Sequence, residues 1–301
     1  MDKKELKRLI ILVISIVLVV VTIKVIQNID HTSRELKNKG YSKEDVVIIL
    51  DKFNKEEINK ILNLDYNPKL VSIISHKYYI DYNLDKYLNF SNKEDDIDKI
   101  ISIVNVKADN PWYTNTLETN IEDGIKMLVN KYHYLNESYA PDDIVPIKNW
   151  YAYDNHKIKE EVYDQYVKMW NKANEEDLVL IVNSSYRTLE DQQNMYDNSN
   201  DDYASRPGFS EHQTGLALDI ITYNILGNEF ENTKEFKWLE KNAHKFGFIL
   251  RYPKDKTYLT GYAYESWHYR YLGIELATKV YESKLTYDEY YAYYCEYKNE
   301  C

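Results

Sequence analysis

Four residues in the second half of the chain have the types and spacing of a hydrolytic metal centre. His212 and Asp219 lie in Ser210-Glu-His-Gln-Thr-Gly-Leu-Ala-Leu-Asp219, and Glu265 and His268 follow in Glu265-Ser-Trp-His-Tyr-Arg270. Together they offer two imidazoles, one carboxylate to serve as a ligand and one to spare. Three protein ligands on zinc leave a fourth position for water and bring that water's pKa to about 7. A spare glutamate can then take the proton as the oxygen attacks a carbonyl. The set reads as the site of a metallopeptidase. Spacing alone is weak evidence, because such a set also arises by chance. No His-Glu-x-x-His helix is present to support it. The other histidines (His31, His76, His133, His156 and His244) read as surface or core residues.

The elements around these residues must bring them to one place. Asp219 falls in an apolar run, Leu216–Ile221, that predicts a strand with Leu216, Leu218 and Ile220 on one face and Ala217 and Asp219 on the other. The odd offset from His212 to Asp219 excludes one straight strand face, so the break is placed at Gln213-Thr214-Gly215. Glu265 is placed on a turn before a strand over Trp267–Tyr271. Leu178–Val182 predicts a buried strand delivering Ser184-Ser-Tyr-Arg187, and Phe248–Tyr252 another. Helices are predicted over Lys159–Lys172, Leu189–Tyr196, Thr233–Phe246 (with Gly247 as its C-cap) and Ile274–Ser283. Strands and helices mix without a βαβ repeat, which predicts an α+β fold with a mostly antiparallel sheet and flanking helices.

The chain resembles the VanY-type D-alanyl-D-alanine carboxypeptidases and their L,D-carboxypeptidase relatives. The resemblance runs through Ser184-Ser-Tyr-Arg-Thr-Leu-Glu-Asp-Gln192, Arg206-Pro-Gly-Phe-Ser-Glu-His-Gln-Thr-Gly-Leu-Ala-Leu-Asp219, Phe246-Gly-Phe-Ile-Leu-Arg-Tyr-Pro253 and Glu265-Ser-Trp-His-Tyr-Arg-Tyr271. It covers roughly residues 117–280 and implies the fold shared by zinc D-Ala-D-Ala peptidases and hedgehog-type domains. It implies Zn2+ held by His212, Asp219 and His268, with Glu265 as the base. Arg187 is the candidate to stabilise the developing oxyanion. Gln192 and Ser210 match positions that help hold the substrate's terminal carboxylate. One departure is Ser266, where the family usually has proline; this could loosen the turn presenting Glu265. The implied substrates are peptidoglycan stem peptides losing a C-terminal D-alanine, with D,D- and L,D-specificity both open. A peptidoglycan endopeptidase and a non-catalytic wall-binding protein on the same fold are the alternatives.

The address comes from the N-terminus. Leu9–Ile26 is apolar except for Ser15, Thr22 and Lys24, and it follows Lys3, Lys4, Lys7 and Arg8. Eighteen helical residues span about 27 Å, close to a bilayer's hydrocarbon core. The basic flank predicts a single-pass cell-membrane anchor with the rest of the chain extracellular. A cleaved signal peptide competes, but no small-residue cleavage site stands near the segment's end. In a chain of 301 residues with a formal net charge of −11, bulk electrostatics argue against nucleic acid and against acidic wall polymers as partners. The expected organisation is a cytoplasmic stub and transmembrane anchor over 1–30, a helical extension or spacer over 31–115, the zinc domain over 116–285 and a tail over 286–301. Ser42 is expected to cap the first helix of the extension. Cys295 and Cys301, both in the tail, could close a small disulfide loop or stay free.

Overall fold

The computed structural model describes residues 3–198 and 204–301. Its contacts fall into two units, Met1–Ile97 and Asp98–Cys301. Helices α1 (Lys3–Lys39), α2 (Lys43–Lys52), α3 (Lys55–Asn63), α4 (Leu70–Ile74) and α5 (Leu84–Phe90) build the first unit. Ser42 caps α2 as expected. Its hydroxyl accepts from the Asp45 N–H and the Asp45 carboxylate accepts from the Ser42 N–H, both at 3.0 Å. Asn54 and Glu57 repeat the arrangement on α3, so the first N–H groups of both helices are satisfied by side chains. Ile10, Ile11, Val13, Ile14 and the apolar residues from Ile16 to Val21 are exposed along α1. The expected anchor lies partly outside the described residues, which omit the side chains of Leu9, Leu12 and residues 23–26. Among the described residues no helix is long and apolar enough to cross a membrane.

The second unit opens with α6 (Ile97–Asn105). Two small strand pairs follow: β1 (Leu117–Glu118) beside β2 (His133–Tyr134), and β3 (Ile144–Pro146) against β4 (Lys157–Lys159). Then come α7 (Glu160–Asn174), β5 (Ile181–Ser184), α8 (Leu189–Asp197), β6 (Ala217–Ile221), α9 (Lys234–Asn242) and β7 (Phe248–Leu250). The unit ends with α10 (Thr257–Thr260), β8 (His268–Tyr271), α11 (Ile274–Ser283) and α12 (Tyr287–Tyr290). The central sheet has the order β5-β6-β8-β7, antiparallel at every pairing. This is the expected mixture of helices with an antiparallel sheet. Strand alternation sends Leu218, Ile220, Tyr269 and Tyr271 into the main core, where they meet Val162, Tyr166 and Met169 of α7. The opposite face of β6 and β8 is left to Asp219, His268 and Arg270.

Several boundaries move for identifiable reasons. β5 starts three residues later than expected, because the Leu178 N–H closes the end of α7 on Ala173 O and the Val179 N–H faces Glu235 at 3.4 Å. The helix expected over Thr233–Phe246 stops at Asn242 and tightens into a 3-10 turn over Ala243–Phe246. Gly247 closes it at φ +89, where a Cβ would stand 2.5 Å from the Tyr271 ring. The division between units falls after Ile97, not at 115. α6 buries Ile100, Ile101 and Val104, and the Ser102 hydroxyl donates to Glu289 at 2.7 Å. The segment expected to be a tail is part of the fold. Tyr287 and Tyr290 pack with Leu128, Ile249, Leu272, Leu276 and Val280. Cys295 and Cys301 are joined as a disulfide.

Candidate active site

Sheet register makes the site. Asp219 on β6 stands directly opposite His268 on β8, so both side chains leave the same face of neighbouring strands. His212 arrives from a 3-10 turn over Glu211–Thr214, which Gly215 ends at φ +69. A Cβ at Gly215 would lie 2.8 Å from Ile144 Cδ1 and 2.9 Å from Lys159 Cγ, so the break before β6 admits no side chain. The ligand atoms of His212, Asp219 and His268 all lie within 4.8 Å of one another, and all three residues are buried. Asp219 Oδ1 is 3.4 Å from His212 Nε2 and 3.2 Å from His268 Nδ1.

The far nitrogen of each imidazole is already engaged. His212 Nδ1 lies 2.8 Å from the Ser185 carbonyl, which can only accept, so this nitrogen carries the proton and Nε2 faces Asp219 as a lone pair. His268 Nε2 lies 3.3 Å from Glu211 Oε2, which leaves Nδ1 for the same centre. Second partners of this kind fix tautomer and ring orientation at metal sites. Burial, and then the Arg187 charge, hold His212 down at about 4, the neutral state a ligand requires. Burial also opposes charge on His268, but the Asp219 and Glu211 carboxylates outweigh it and push that ring up to about 9. A proton there occupies the position a divalent cation would take. Burial disfavours charge on Asp219, yet His212 and His268 hold its carboxyl well below the usual range. The three donors therefore fit a small divalent cation.

Glu265 sits on the turn before β8, with its N–H donated to Tyr252 O at 3.1 Å. Its Oε2 is 3.5 Å from His268 Nδ1, next to the cluster but outside it. Burial raises its carboxyl to about 7, against the pull of His268. Ser266, in the place usually held by proline, is part of this turn. It is fully buried, with its N–H facing Asn228 Oδ1 at 3.5 Å and its hydroxyl facing Gly227 O at 3.4 Å. Arg187 follows β5, its backbone N–H donated to the His212 carbonyl at 3.3 Å. Asp219 and Glu265 act on its charge, but among the described residues no carboxylate ion-pairs with it, and its buried Nε has no partner. Gln192 and Ser210 are both buried. Gln192 donates to the Ser205 carbonyl at 2.7 Å, and its Oε1 is unpartnered.

Sequence reasoning missed the support behind His268. Glu211 Oε1 accepts from Arg251 Nε at 2.8 Å and from Arg270 Nη1 at 2.9 Å, while Oε2 faces His268. Burial opposes the charge on Glu211, and the two arginines hold its carboxyl well below the usual range. Arg270 also donates to the Ile125 and Met127 carbonyls at 3.0 and 2.8 Å. All three side chains are within the quoted motifs, but no period or spacing marks them as buried.

Comparison with known proteins identifies the family. The family model described as VanY, D-alanyl-D-alanine carboxypeptidase, matches residues 155–274, the stretch that carries every site residue named above. A D-alanyl-D-alanine carboxypeptidase of Enterococcus faecalis (strain ATCC 700802 / V583) is 36% identical over 205 residues, covering 61% of this chain and 73% of the relative. A putative carboxypeptidase of Bacillus subtilis (strain 168), YodJ, is 36% identical over 184 residues, covering 56% of this chain and 67% of that one. Among solved structures, the LdcB LD-carboxypeptidase is 33% identical with a TM-score of 0.56, covering 60% of this chain and 91% of that chain. With its two imidazoles, its aspartate and its glutamate all inside the matched stretch, this chain belongs to the VanY family of D-alanyl-D-alanine carboxypeptidases, which are hydrolases.

Proposed function

We propose that the chain is a zinc carboxypeptidase that removes the C-terminal D-alanine from peptidoglycan stem peptides outside the cell. One observation carries the metal assignment: His212 Nε2, Asp219 Oδ1 and His268 Nδ1 converge while both far imidazole nitrogens are engaged. Two imidazoles and one carboxylate are a donor set of catalytic zinc, since three protein ligands leave a fourth position for water. Zinc bound there would polarise the scissile carbonyl and lower the pKa of a coordinated water.

The remaining roles belong to the chain. Glu265, next to the three ligands and outside their set, takes the proton of the attacking water and hands it to the leaving amine. Burial prepares it for this by bringing its proton affinity near that of its task. Arg187, half-buried with its Nε enclosed, has no carboxylate ion pair among the described residues and feels the charges of Asp219 and Glu265, where charge builds on the carbonyl oxygen. Gln192 and Ser210 are assigned to the substrate's terminal carboxylate by their motif positions. Residues Leu9–Ile26 are assigned to a membrane anchor. Its support is the apolar run behind four basic residues and its place within the 37-residue helix α1.

The test is to incubate the purified protein with muropeptides ending in tetrapeptide and pentapeptide stems and to weigh the products. Release of one D-alanine from the pentapeptide marks D,D-specificity, and release from the tetrapeptide marks L,D-specificity. Internal cleavage without free alanine would transfer the assignment to an endopeptidase. Zinc-loaded protein that cleaves neither stem would leave a wall-binding role.

A further inference from the structure

We propose that Asp288, in the C-terminal segment beyond the family match, is a positioning residue for His268, acting through Arg251 and Glu211. The inference rests on the reading that His268 holds the metal. Arg251 bridges two buried carboxylates. Its Nε reaches Glu211 Oε1 at 2.8 Å, while Nη1 and Nη2 reach Asp288 at 2.5 and 3.1 Å. Asn130 donates to the same Asp288 carboxylate at 2.8 Å. Arg251 and Glu211 are fully buried, and Asp288 is 3% exposed, so water cannot replace a missing partner.

The division of oxygen atoms on Glu211 shows what Asp288 does. Oε1 takes both arginines, which frees Oε2 for His268. That division holds only while the terminal nitrogens of Arg251 are occupied elsewhere. A guanidinium prefers a two-pronged grip on one carboxylate. Without the Asp288 charge, Arg251 would turn its fork onto both oxygens of Glu211 and compete with His268 for Oε2. The His268 ring would lose its anchor, and its Nδ1 would be less well aimed at the ligand cluster. Asp288 lies on α12, in a segment with no ligand of its own. The C-terminal residues thus complete the metal site from outside the stretch that the family model matches.

The experiment measures zinc affinity by competition with a chromophoric chelator, alongside thermal unfolding of the metal-free protein. Asp288→Asn keeps the shape and removes the charge. Its zinc affinity should fall about tenfold or more, the range expected when an outer partner of a ligand is lost. Turnover at limiting zinc should fall in parallel and recover when zinc is raised, which a merely unstable fold would not do. Adding Asp288→Asn to a Glu211→Gln protein should cause no further loss, because the path runs through Glu211. Should Asp288→Asn fail to fold, Arg251→Lys serves in its place. A single ammonium cannot hold both carboxylates in a fixed fork, so the same loss is expected. Wild-type zinc affinity in the folded variant, or full additivity with Glu211→Gln, would overturn the proposal while leaving the metal reading intact. An unsubstituted protein that binds no zinc would overturn both.

Discussion

Replacing Glu265 with Gln separates chemistry from metal binding, and the structure sets the expected size of the effect. The substitution keeps the side chain's length and its backbone anchor, the N–H donated to Tyr252 O at 3.1 Å. It leaves His212, Asp219 and His268 untouched as the three proposed ligands. What disappears is a carboxylate 3.5 Å from His268 Nδ1, whose pKa burial has raised to about 7. A carboxyl so tuned can accept a proton from water and release it to an amine within one turnover, and the amide that replaces it can do neither. Loss of a general base of this kind costs about 10²–10⁴ in rate. At about 1.4 kcal/mol per tenfold, the barrier should rise by about 3–5 kcal/mol. KM should stay within a few-fold, because no binding contact is removed. The assay is D-alanine release from the stem peptide that the wild type cleaves, with zinc content measured on the same sample. Near-normal turnover with zinc bound would refute the base assignment. Loss of zinc from the variant would make Glu265 a ligand.

The other expectations test neighbouring parts of the scheme. His268→Ala should lower zinc occupancy together with activity, since three protein ligands become two; metal analysis of the purified variant decides this. Arg187→Ala should keep its zinc and lose about 10²–10³ in kcat if the guanidinium meets the oxyanion, and an unchanged kcat would return it to a packing role. A chain starting at Asp98 should bind zinc and cleave soluble stem peptides, whereas one starting at 116 should melt earlier because it lacks α6 and the Ser102–Glu289 bond. His133 gives a pH test away from the metal. Burial, then the Lys107 charge, hold its ring at about 4 in the folded chain, below the ordinary 6.5. Its contribution is therefore complete above pH 6.5 and lost as pH falls toward 4. His133→Gln should accordingly show a smaller drop in melting temperature between pH 7 and pH 5 than the wild type.

The sequence by itself determined the family and most of the scaffold. His212, Asp219, Glu265 and His268 stand out because their types suit a zinc site and their surrounding motifs resemble the VanY family, and the odd offset from His212 to Asp219 requires a turn that Gly215 supplies. The apolar alternation around Asp219 gave its strand and its face, since successive side chains point to opposite faces of any strand. Tertiary structure decided the partners. Nothing local says that Asp219 and His268 pair across two strands, because register is set by packing the whole sheet. Nor does any local signal separate Glu211, Arg251, Arg270 and Asp288 from the many exposed charges of this acidic chain. Charged residues are usually solvated, and these four are buried only because each meets an opposite charge from a distant segment. The place of the last sixteen residues was lost for the same reason. A tyrosine-rich, charged stretch reads as a tail until the fold brings Tyr287 and Tyr290 against Leu276 and Val280 and sets Asp288 on Arg251.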